Sequence, residues 1–257
     1  MILRRVIAHV RRQEWTAVGI DFIIVVFGVV IGIQVANWNE SRREEQRAQG
    51  YLWRIHDDLT ADLGSLARHE IFWRKVIEHG HQAIRYAETG ERVDGSAWKT
   101  LLSFYQASQL FPWISRDTTY QELRSAGELA LISDDSLRAA LAEYYVTGAG
   151  AQFNFLLVEQ PAYRKIVRGH TPSIASSQVW AKCHNAPGFD EQYLFDCDSP
   201  MSEADAQAVL DAYLADPQLL PELRFWITNL EVTMTLVDLN QDDARKLATR
   251  IPGKSVQ

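Results

Sequence analysis

The residues from Phe22 to Ile33 (FIIVVFGVVIGI) carry no charged or polar side chain. Extended to Trp15 and Trp38, the apolar segment is 24 residues long. A helix that crosses the hydrocarbon core of a bilayer needs about 20 mostly apolar residues. Because tryptophan concentrates at membrane interfaces, Trp15 and Trp38 are expected at the two surfaces. The pattern predicts a transmembrane helix over residues 15–38.

The apolar run closes on Asn37, Trp38 and Asn39, which we interpret as the exit of the helix from the bilayer into water. Two alternatives are a buried core helix and a cleaved signal peptide. Core helices are rarely apolar on every face. A signal peptide would carry a small-x-small cleavage site directly after its apolar run, and none is present. We therefore expect an uncleaved membrane anchor.

Gly28 and Gly32 are four residues apart in this segment. In a membrane helix, small residues at that spacing let two backbones approach closely. The pair predicts a helix–helix contact through which the anchor could form a homo-oligomer.

After the anchor the pattern becomes helical and amphipathic. Residues 39–50 are strongly polar and predict a solvated helical stalk. Beyond them, apolar residues step by three and four, which predicts that the same helix continues to about Glu88. These residues are Leu52, Ile55, Leu59, Leu63 and Leu66.

Further helices are predicted from their start signals. Such a signal is a serine, threonine or aspartate that can cap a helix N-terminus, and acidic residues in the first turn strengthen it. They occur at Ser96, at Thr119 with Glu122, at Ser133 with Asp134 and Asp135, and at Ser202 with Asp205.

The last predicted helix has a heptad-like apolar face. Its members are Leu223, Ile227, Leu230, Met234, Val237, Gln241 and Ala244. No strand-type alternation persists, so the predicted fold class is all-α. The expected architecture is one N-terminal transmembrane helix continuing into a helical bundle. The bundle covers residues 51–250, with its long first and last helices packed against each other, and 251–257 form a tail. If these two helices run antiparallel, the C-terminus lies back near the membrane.

Residues 169–200 are predicted to be an irregular loop that contains both cysteines of the chain, Cys183 and Cys197. The 13 residues between them include proline and glycine and resemble a disulfide-closed turn. A disulfide would place this part outside the cytoplasm. Two unrelated buried thiols are the alternative, and a zinc site with His184 would lack a fourth ligand.

The orientation in the membrane is not decided by counting arginines, since four lie on each side of the anchor. Residues 1–14, however, form a basic amphipathic segment suited to the anionic cytoplasmic leaflet. With the cysteines, this predicts a cytoplasmic N-terminus and a periplasmic soluble domain at the inner membrane of a bacterium. The basic residues before the anchor are Arg4, Arg5, Arg11 and Arg12, and those after it are Arg42, Arg43, Arg47 and Arg54.

Composition and motifs narrow the function. The net charge of −7 argues against nucleic acid as a partner. No nucleophile elbow, phosphate-binding loop, dinucleotide fingerprint or zinc-protease motif is present, so we expect no catalytic residue, cofactor or metal. The cluster of His56, Asp57, Asp58 and Asp62 is interpreted as a solvated acidic face, and Tyr144 and Tyr145 as bundle packing.

The stretches IGIQVANWNESRREEQ, YLWRIHDDLTADL and TTYQELRSAGELALISDDSLRAALAEYY resemble an uncharacterised family of single-pass bacterial membrane proteins. In that family an anchor helix ends in Gln-x-x-Asn-Trp-Asn-Glu and a helical domain follows. The match covers about the first 65 residues and roughly 117–145, and the cysteine loop lies outside it. The resemblance implies an anchor and a helical domain of unknown function, with no activity.

The leading functional hypothesis is a protein-interaction or scaffold component, not an enzyme, at the outer face of the cytoplasmic membrane. Its partners would be the bilayer and a protein of unknown identity. One alternative is a periplasmic sensory or small-ligand-binding module that relays through a partner protein. Another is an enzyme with a scattered active site that carries no sequence motif.

Overall fold

A computed structural model describes residues 15–152, 161–251 and 253–254. The predicted amphipathic segment at 1–14 lies outside the described residues. By internal contacts the chain divides into two compact units, Met1–Tyr51 and Leu52–Gln257. Each unit is described by itself below.

The first helix, α1, covers Trp15–Thr89 and is 75 residues long, one residue beyond its predicted end at Glu88. Its most apolar window of 18 residues has a mean hydropathy of 2.5, and none of that window is buried. A bilayer core accommodates about 20 residues of helix. The apolar portion near the N-terminus is therefore long enough to cross a membrane once, and the rest of α1 is more than a span requires.

The second unit is built mainly from helices, which confirms the all-α class in its coarse form. The helices after α1 are α2 Ala97–Gln106, α3 Thr118–Ser125, α4 Asp135–Ala142, α5 Ala162–His170, α6 Ser173–Gln178, α7 Glu203–Ala215 and α8 Leu219–Arg250. Short 3₁₀ turns lie at Val93–Gly95 and Leu129–Leu131, and π-helical turns at Glu143–Thr147 and Val179–Cys183.

Two of the predicted helix starts have the expected cap. The Ser96 hydroxyl accepts a hydrogen bond from the Lys99 amide at 3.3 Å, and the Ser202 hydroxyl accepts one from the Asp205 amide at 3.1 Å. These bonds satisfy amide groups that have no partner inside a first helical turn.

The other two starts differ from the prediction. At α4 it is Asp134 rather than Ser133 that caps, because its carboxylate accepts from the amides of Ser136 and Leu137 at 2.9 and 3.0 Å. At α3 the capping box is wrong. The helix begins at Thr118, so Thr119 is its second residue and cannot be its N-cap. The N-cap position is that of Asp117, whose side chain makes no capping hydrogen bond.

The loop predicted at 169–200 is wrong for most of its length. It contains α6, a π-helical turn and an antiparallel hairpin of β1 His184–Gly188 and β2 Glu191–Leu194. Asn185 pairs with Tyr193, and the register shifts by a bulge before Gly188 pairs with Glu191. Four residues in one strand are too few for alternation to stand out in sequence.

Contacts between α8 and the part of α1 after Tyr51 run in opposite order along the two helices. Arg224 contacts Glu88, while further along α8 Gln241 contacts Glu70. The first and last helices thus pack against each other, as the sequence predicts, and they run antiparallel within this unit. They approach most closely at Gly80, where an added Cβ would lie 2.1 Å from the Ile227 Cδ1.

Aromatic side chains fill the interior of the second unit and are fixed there by hydrogen bonds to backbone carbonyls. The Trp226 indole donates to the carbonyl of Ala107 at 2.9 Å, and the Tyr163 hydroxyl donates to that of Phe104 at 2.7 Å. Such bonds remove the cost of burying polar atoms in an apolar interior. The largest fully buried side chains are Trp73, Tyr105, Tyr163, Tyr213 and Phe104.

Candidate functional site

The apolar part of α1 presents its side chains outward on every face. Trp38 is 60% exposed, and the Arg42 guanidinium lies 5.0 Å from the centre of its ring, a cation–π contact one helical turn further on. Asn37 and Asn39 flank it and are exposed. Trp15 begins the helix, but its side chain lies outside what the structure describes. The large apolar side chains exposed before Trp38 are Ile20, Phe22, Ile23, Ile24, Val25, Val26, Phe27, Val29, Val30, Ile31, Ile33 and Val35.

Gly28 and Gly32 lie one turn apart on the same face of this helix. A Cβ added at either position would have nothing within 4 Å. The face they share is therefore open to another helix, and no described residue of this chain occupies it.

Cys183 and Cys197 are joined as a disulfide with their Cα atoms 5.2 Å apart. The bond links the residue before β1 to the segment just after β2. Next to it, the Phe195 amide donates to the Cys183 carbonyl at 2.8 Å, which extends the hairpin pairing to the disulfide. The open end of the hairpin is thereby fixed covalently.

The turn of the hairpin is fixed at the other end by Asp190. Its carboxylate accepts a hydrogen bond from the Ser65 hydroxyl at 2.6 Å and forms an ion pair with Arg68 of α1. Burial raises the pKa of Asp190, but the bonds from Ser65 and Arg68 outweigh it and leave that pKa below its ordinary value. The neighbouring Phe189 is 86% exposed and lies at the tip of the hairpin.

Between the hairpin and α1 lies a cavity of about 380 Å³, here called the hairpin groove. Four consecutive residues, 192–195, line it on the hairpin side, and no described residue of β1 does. The groove therefore runs along β2 on its hairpin side. Its residues are Ile71, Phe72, Arg74, Lys75, Glu78, Gln192, Tyr193, Leu194 and Phe195.

Apolar side chains of the hairpin groove reach solvent. Ile71 is 68% exposed, Phe195 45% and Tyr193 40%, and the last two rings stack with their centres 6.3 Å apart. The charges at the rim are paired with each other. Arg74 contacts Glu70 at 2.8 Å, and Lys75 contacts Glu78 at 2.9 Å. The groove thus offers an apolar surface with a balanced polar border.

A second cavity of about 690 Å³ continues along α1, and it shares Arg74 and Glu78 with the hairpin groove. Its far side is α8, where Glu231 contacts His81 at 3.0 Å. The remaining lining residues are Ile77, Gln82, Arg85 and Met234. The two cavities are therefore neighbours along α1.

The prediction that His56, Asp57, Asp58 and Asp62 form a solvated acidic face is wrong for Asp62, whose side chain is fully buried. Its carboxylate accepts bonds from the Ser115 hydroxyl at 2.9 Å, the Arg116 amide at 2.8 Å and the Tyr144 hydroxyl at 2.9 Å. Burial raises the pKa of Asp62, and these bonds oppose the rise. The carboxylate holds three separate segments of the unit together. Asp57, by contrast, is exposed.

His79 and His81 point to different sides of α1, because residues two positions apart lie about 200° apart around a helix. His79 is buried with its Nδ1 3.3 Å from the Ser103 hydroxyl, whereas His81 is exposed. Burial lowers the pKa of His79 to about 4. Among the described residues, no group of three or more His, Cys, Asp or Glu side chains could hold a metal ion.

Sequence reasoning did not find the hairpin groove. The signal was present between the cysteines, where Phe189, Tyr193 and Phe195 bring three aromatic side chains into a short loop. Several apolar side chains that lie together at a surface often mark an interaction site. Comparison of the chain with protein-family models, curated proteins and solved structures gives no match.

Proposed function

We propose that this protein is a single-pass membrane protein whose helical unit acts by binding another protein, as a scaffold or assembly component and not as an enzyme. The observation that carries the proposal is the apolar part of α1, in which an 18-residue window with a mean hydropathy of 2.5 is entirely unburied. Leaving that much apolar surface in water costs roughly 25 cal/mol per Å², so it needs a bilayer around it.

The proposed orientation has the N-terminus in the cytoplasm and the unit Leu52–Gln257 in the periplasm of a bacterium. It is supported by the basic segment 1–14 and by the pairing of Cys183 with Cys197, because disulfides persist in oxidising compartments. Membership of the single-pass family with the Gln-x-x-Asn-Trp-Asn-Glu motif is part of the same proposal. It rests on the motifs given above.

The hairpin groove is the proposed binding face. Binding energy at protein interfaces concentrates in a few central apolar or aromatic anchors surrounded by polar residues. Tyr193, Phe195 and Ile71 supply exposed anchors, and the paired charges at Arg74 and Lys75 supply the border. Anchoring of the hairpin at both ends holds these side chains in place before a partner arrives, which lowers the entropic cost of binding.

Orientation is tested by labelling the cysteines in intact cells with a membrane-impermeant thiol reagent, with and without prior reduction. We expect Cys183 and Cys197 to react only after reduction, without lysis, and the protein to stay in membranes washed with alkaline carbonate. Thiols that react without reduction, and only after lysis, would reverse the topology. Release of the protein by the carbonate wash would contradict the proposed membrane anchor.

Protein binding is tested by placing a photo-crosslinking amino acid at position 193 in the full chain in its native membrane. The control position is Asp211, an exposed residue of α7 away from the groove. We expect one discrete adduct with another protein from position 193 and none from 211, and we expect Ile71→Gln to reduce it. Equal adducts from both positions would show collision only and would contradict the proposal.

A small-ligand-binding module is the second candidate, favoured by the cavity of about 690 Å³ beside Arg74, His81 and Arg85. That volume falls within the roughly 300–1,000 Å³ of small-molecule sites. The cavity is an open groove, however, and two of its charged residues, His81 and Glu231, contact each other. A metabolite that raises the unfolding temperature of the full chain, with the rise lost in Arg85→Gln, would favour this candidate.

A further inference from the structure

The outward face of α8 carries an apolar pattern that the core does not use. Phe225, Val232 and Leu239 are 65%, 50% and 53% exposed. They are the only large apolar side chains among the described residues of α8 that are exposed to this degree, and they are spaced by seven. Thr228 and Thr235, three residues after the first two, are also exposed. We call these five residues the outer seam.

The outer seam is not the edge of the buried face. Residues two positions before each of its apolar members are fully buried, namely Leu223, Leu230 and Val237. Because each residue advances about 100° around a helix, a separation of two positions places the side chains on nearly opposite sides. Helix α8 therefore has two apolar faces, one that packs in the unit and one that faces solvent.

Two helices pack knobs into holes when each carries a seven-residue repeat whose first and fourth positions face the other helix. The outer seam has this spacing, with apolar residues at the first position and threonines at the fourth. From Phe225 to Leu239 the seam extends about 21 Å at 1.5 Å per residue. We propose that the outer seam docks an amphipathic helix of another protein, apolar along its own seam and basic at the flanking positions. This inference rests on the proposed protein-binding role but uses a surface separate from the hairpin groove.

The basic character of the partner follows from the charges beside the outer seam. Its flanks carry four carboxylates and two arginines. Both arginines are already engaged within the chain, Arg224 with Glu88 at 2.6 Å and Arg245 with the Gln241 side chain at 2.6 Å. The four carboxylates are those of Glu222, Glu231, Asp238 and Asp243. Glu231 contacts His81 at 3.0 Å and Asp243 contacts Lys246 at 3.5 Å, whereas no ion pair joins Glu222 or Asp238 to a described residue. Glu222 and Asp238 are therefore the charges beside the seam that a basic partner would meet.

The same charges argue against a second copy of this chain as the occupant. In a parallel, in-register pair, Asp238 of one chain would lie opposite Asp243 of the other, and like charges at such positions oppose pairing. Asp238 makes no ion pair with any described residue, so a lysine or arginine of a partner helix could reach it. A partner with basic flanks replaces repulsion by attraction along the seam.

Three apolar side chains form a small contact compared with the 800 Å² or so per partner of a stable interface. We therefore expect weak docking between free molecules. Confinement of both proteins to one membrane raises their effective concentration, and a weak contact then becomes occupied. This is the setting in which the proposed scaffold would work.

The test uses the full chain in lipid nanodiscs and two synthetic helical peptides about three heptads long, with leucine at the seam positions and either lysine or glutamate at the flanks. Binding is measured by fluorescence anisotropy. We expect the lysine peptide to bind at least about tenfold more tightly than the glutamate peptide, because its lysines would lie opposite carboxylates of the outer seam's flanks. Val232→Gln should weaken the affinity for the lysine peptide by about tenfold, which is the loss expected when one buried valine is removed from the contact.

The matched control is Ile71→Gln, which removes an exposed apolar side chain of the hairpin groove and should leave the peptide affinity unchanged. Equal affinity for both peptides, or binding that is insensitive to Val232→Gln, would overturn the inference. Self-association in sedimentation that is lost in Val232→Gln would also overturn it, in favour of a second copy. None of these results alters the position-193 crosslink, so failure here is distinct from failure of the proposed function.

Discussion

The Tyr144 hydroxyl donates a hydrogen bond of 2.9 Å to the fully buried carboxylate of Asp62, which lies 82 residues earlier in the chain. The ring of Tyr145 packs edge-on against Tyr144 with centres 4.8 Å apart. The hydroxyl of Tyr145 is also buried but has no hydrogen-bond partner among the described residues. The Tyr144 hydroxyl thus compensates a buried charge, whereas the hydroxyl of the adjacent Tyr145 does not.

Replacement of Tyr144 by Phe should lower the free energy of unfolding by about 1–3 kcal/mol, because Asp62 would keep its burial and lose a donor. Tyr145→Phe removes a hydroxyl of the same size that has no partner, and it should be neutral or slightly stabilising. Urea unfolding of the two variants in parallel measures the difference. Equal losses in the two variants would mean that the hydrogen bond to Asp62 does not account for the effect.

His79 predicts a loss of stability as the pH falls. Burial lowers its pKa from 6.5 to about 4 in the folded protein, so between these values the unfolded chain binds a proton that the folded chain does not. Stability should therefore be unaffected by His79 above about pH 6.5 and decline below it, by at most about 1.4 kcal/mol per pH unit.

The measurement is the urea midpoint at about pH 7 and about pH 5 for the wild type, His79→Gln and His81→Gln. Asp62 contributes the opposite slope, since a raised carboxyl pKa favours folding at low pH, so the comparison between variants isolates His79. We expect only His79→Gln to reduce the loss between the two pH values. The same reduction in His81→Gln would contradict the assignment.

Gly80 predicts intolerance of a single methyl group. A Cβ at this position would lie 2.1 Å from Cδ1 and 2.4 Å from Cγ1 of Ile227, so the Ile227 side chain or the two helices would have to shift. Gly80→Ala should cost about 1–3 kcal/mol by overpacking. Gly64→Ala is the matched control on the same helix. Its only near neighbour among the described residues is the Arg68 guanidinium at 3.6 Å, an ordinary contact distance, so Gly64→Ala should be stabilising by roughly 0.5–1 kcal/mol.

The cause is tested by adding Ile227→Ala to Gly80→Ala in a double-mutant cycle. Removal of the two conflicting carbons should make the pair of substitutions less destabilising than the sum of the single ones. Additive losses would show that the helices do not meet at this point.

The disulfide predicts a redox-dependent stability. Replacing both Cys183 and Cys197 by serine should cost roughly 3 kcal/mol, the value for closing a loop of about 15 residues. Reductant should lower the unfolding midpoint of the wild type by a similar amount and leave the serine variant unchanged. A wild type that does not respond to reductant would mean that the bond contributes nothing to the fold.

Helices were predictable where their determinants are local. The steps of three and four after Leu52, the caps at Ser96 and Ser202, and the apolar face from Leu223 to Ala244 lie within a few residues of one another in sequence. A cap needs only one side chain and the amides of the next turn. For that reason α2, α7 and α8 begin close to where the pattern puts them.

The sites depend instead on contacts between distant segments. Asp62 differs from its exposed neighbour Asp57 only because Ser115 and Tyr144 come to it from other elements. The hairpin groove needs α1 and β2 side by side, and the interval of more than a hundred residues between Ile71 and Tyr193 contains no local sign of that contact. The outer seam was visible in the spacing of Phe225, Val232 and Leu239, but it was masked by the stronger pattern of the buried face.

The fixation of the hairpin by Asp190 at its turn and by the disulfide at its open end has a mechanical consequence. A hairpin attached only at its open end would bend when its tip is pulled. This hairpin is attached at both ends, so a pull on Phe189 is transmitted through Asp190 to Ser65 and Arg68. A force applied at the tip would therefore be transmitted to α1 and would bend the hairpin little.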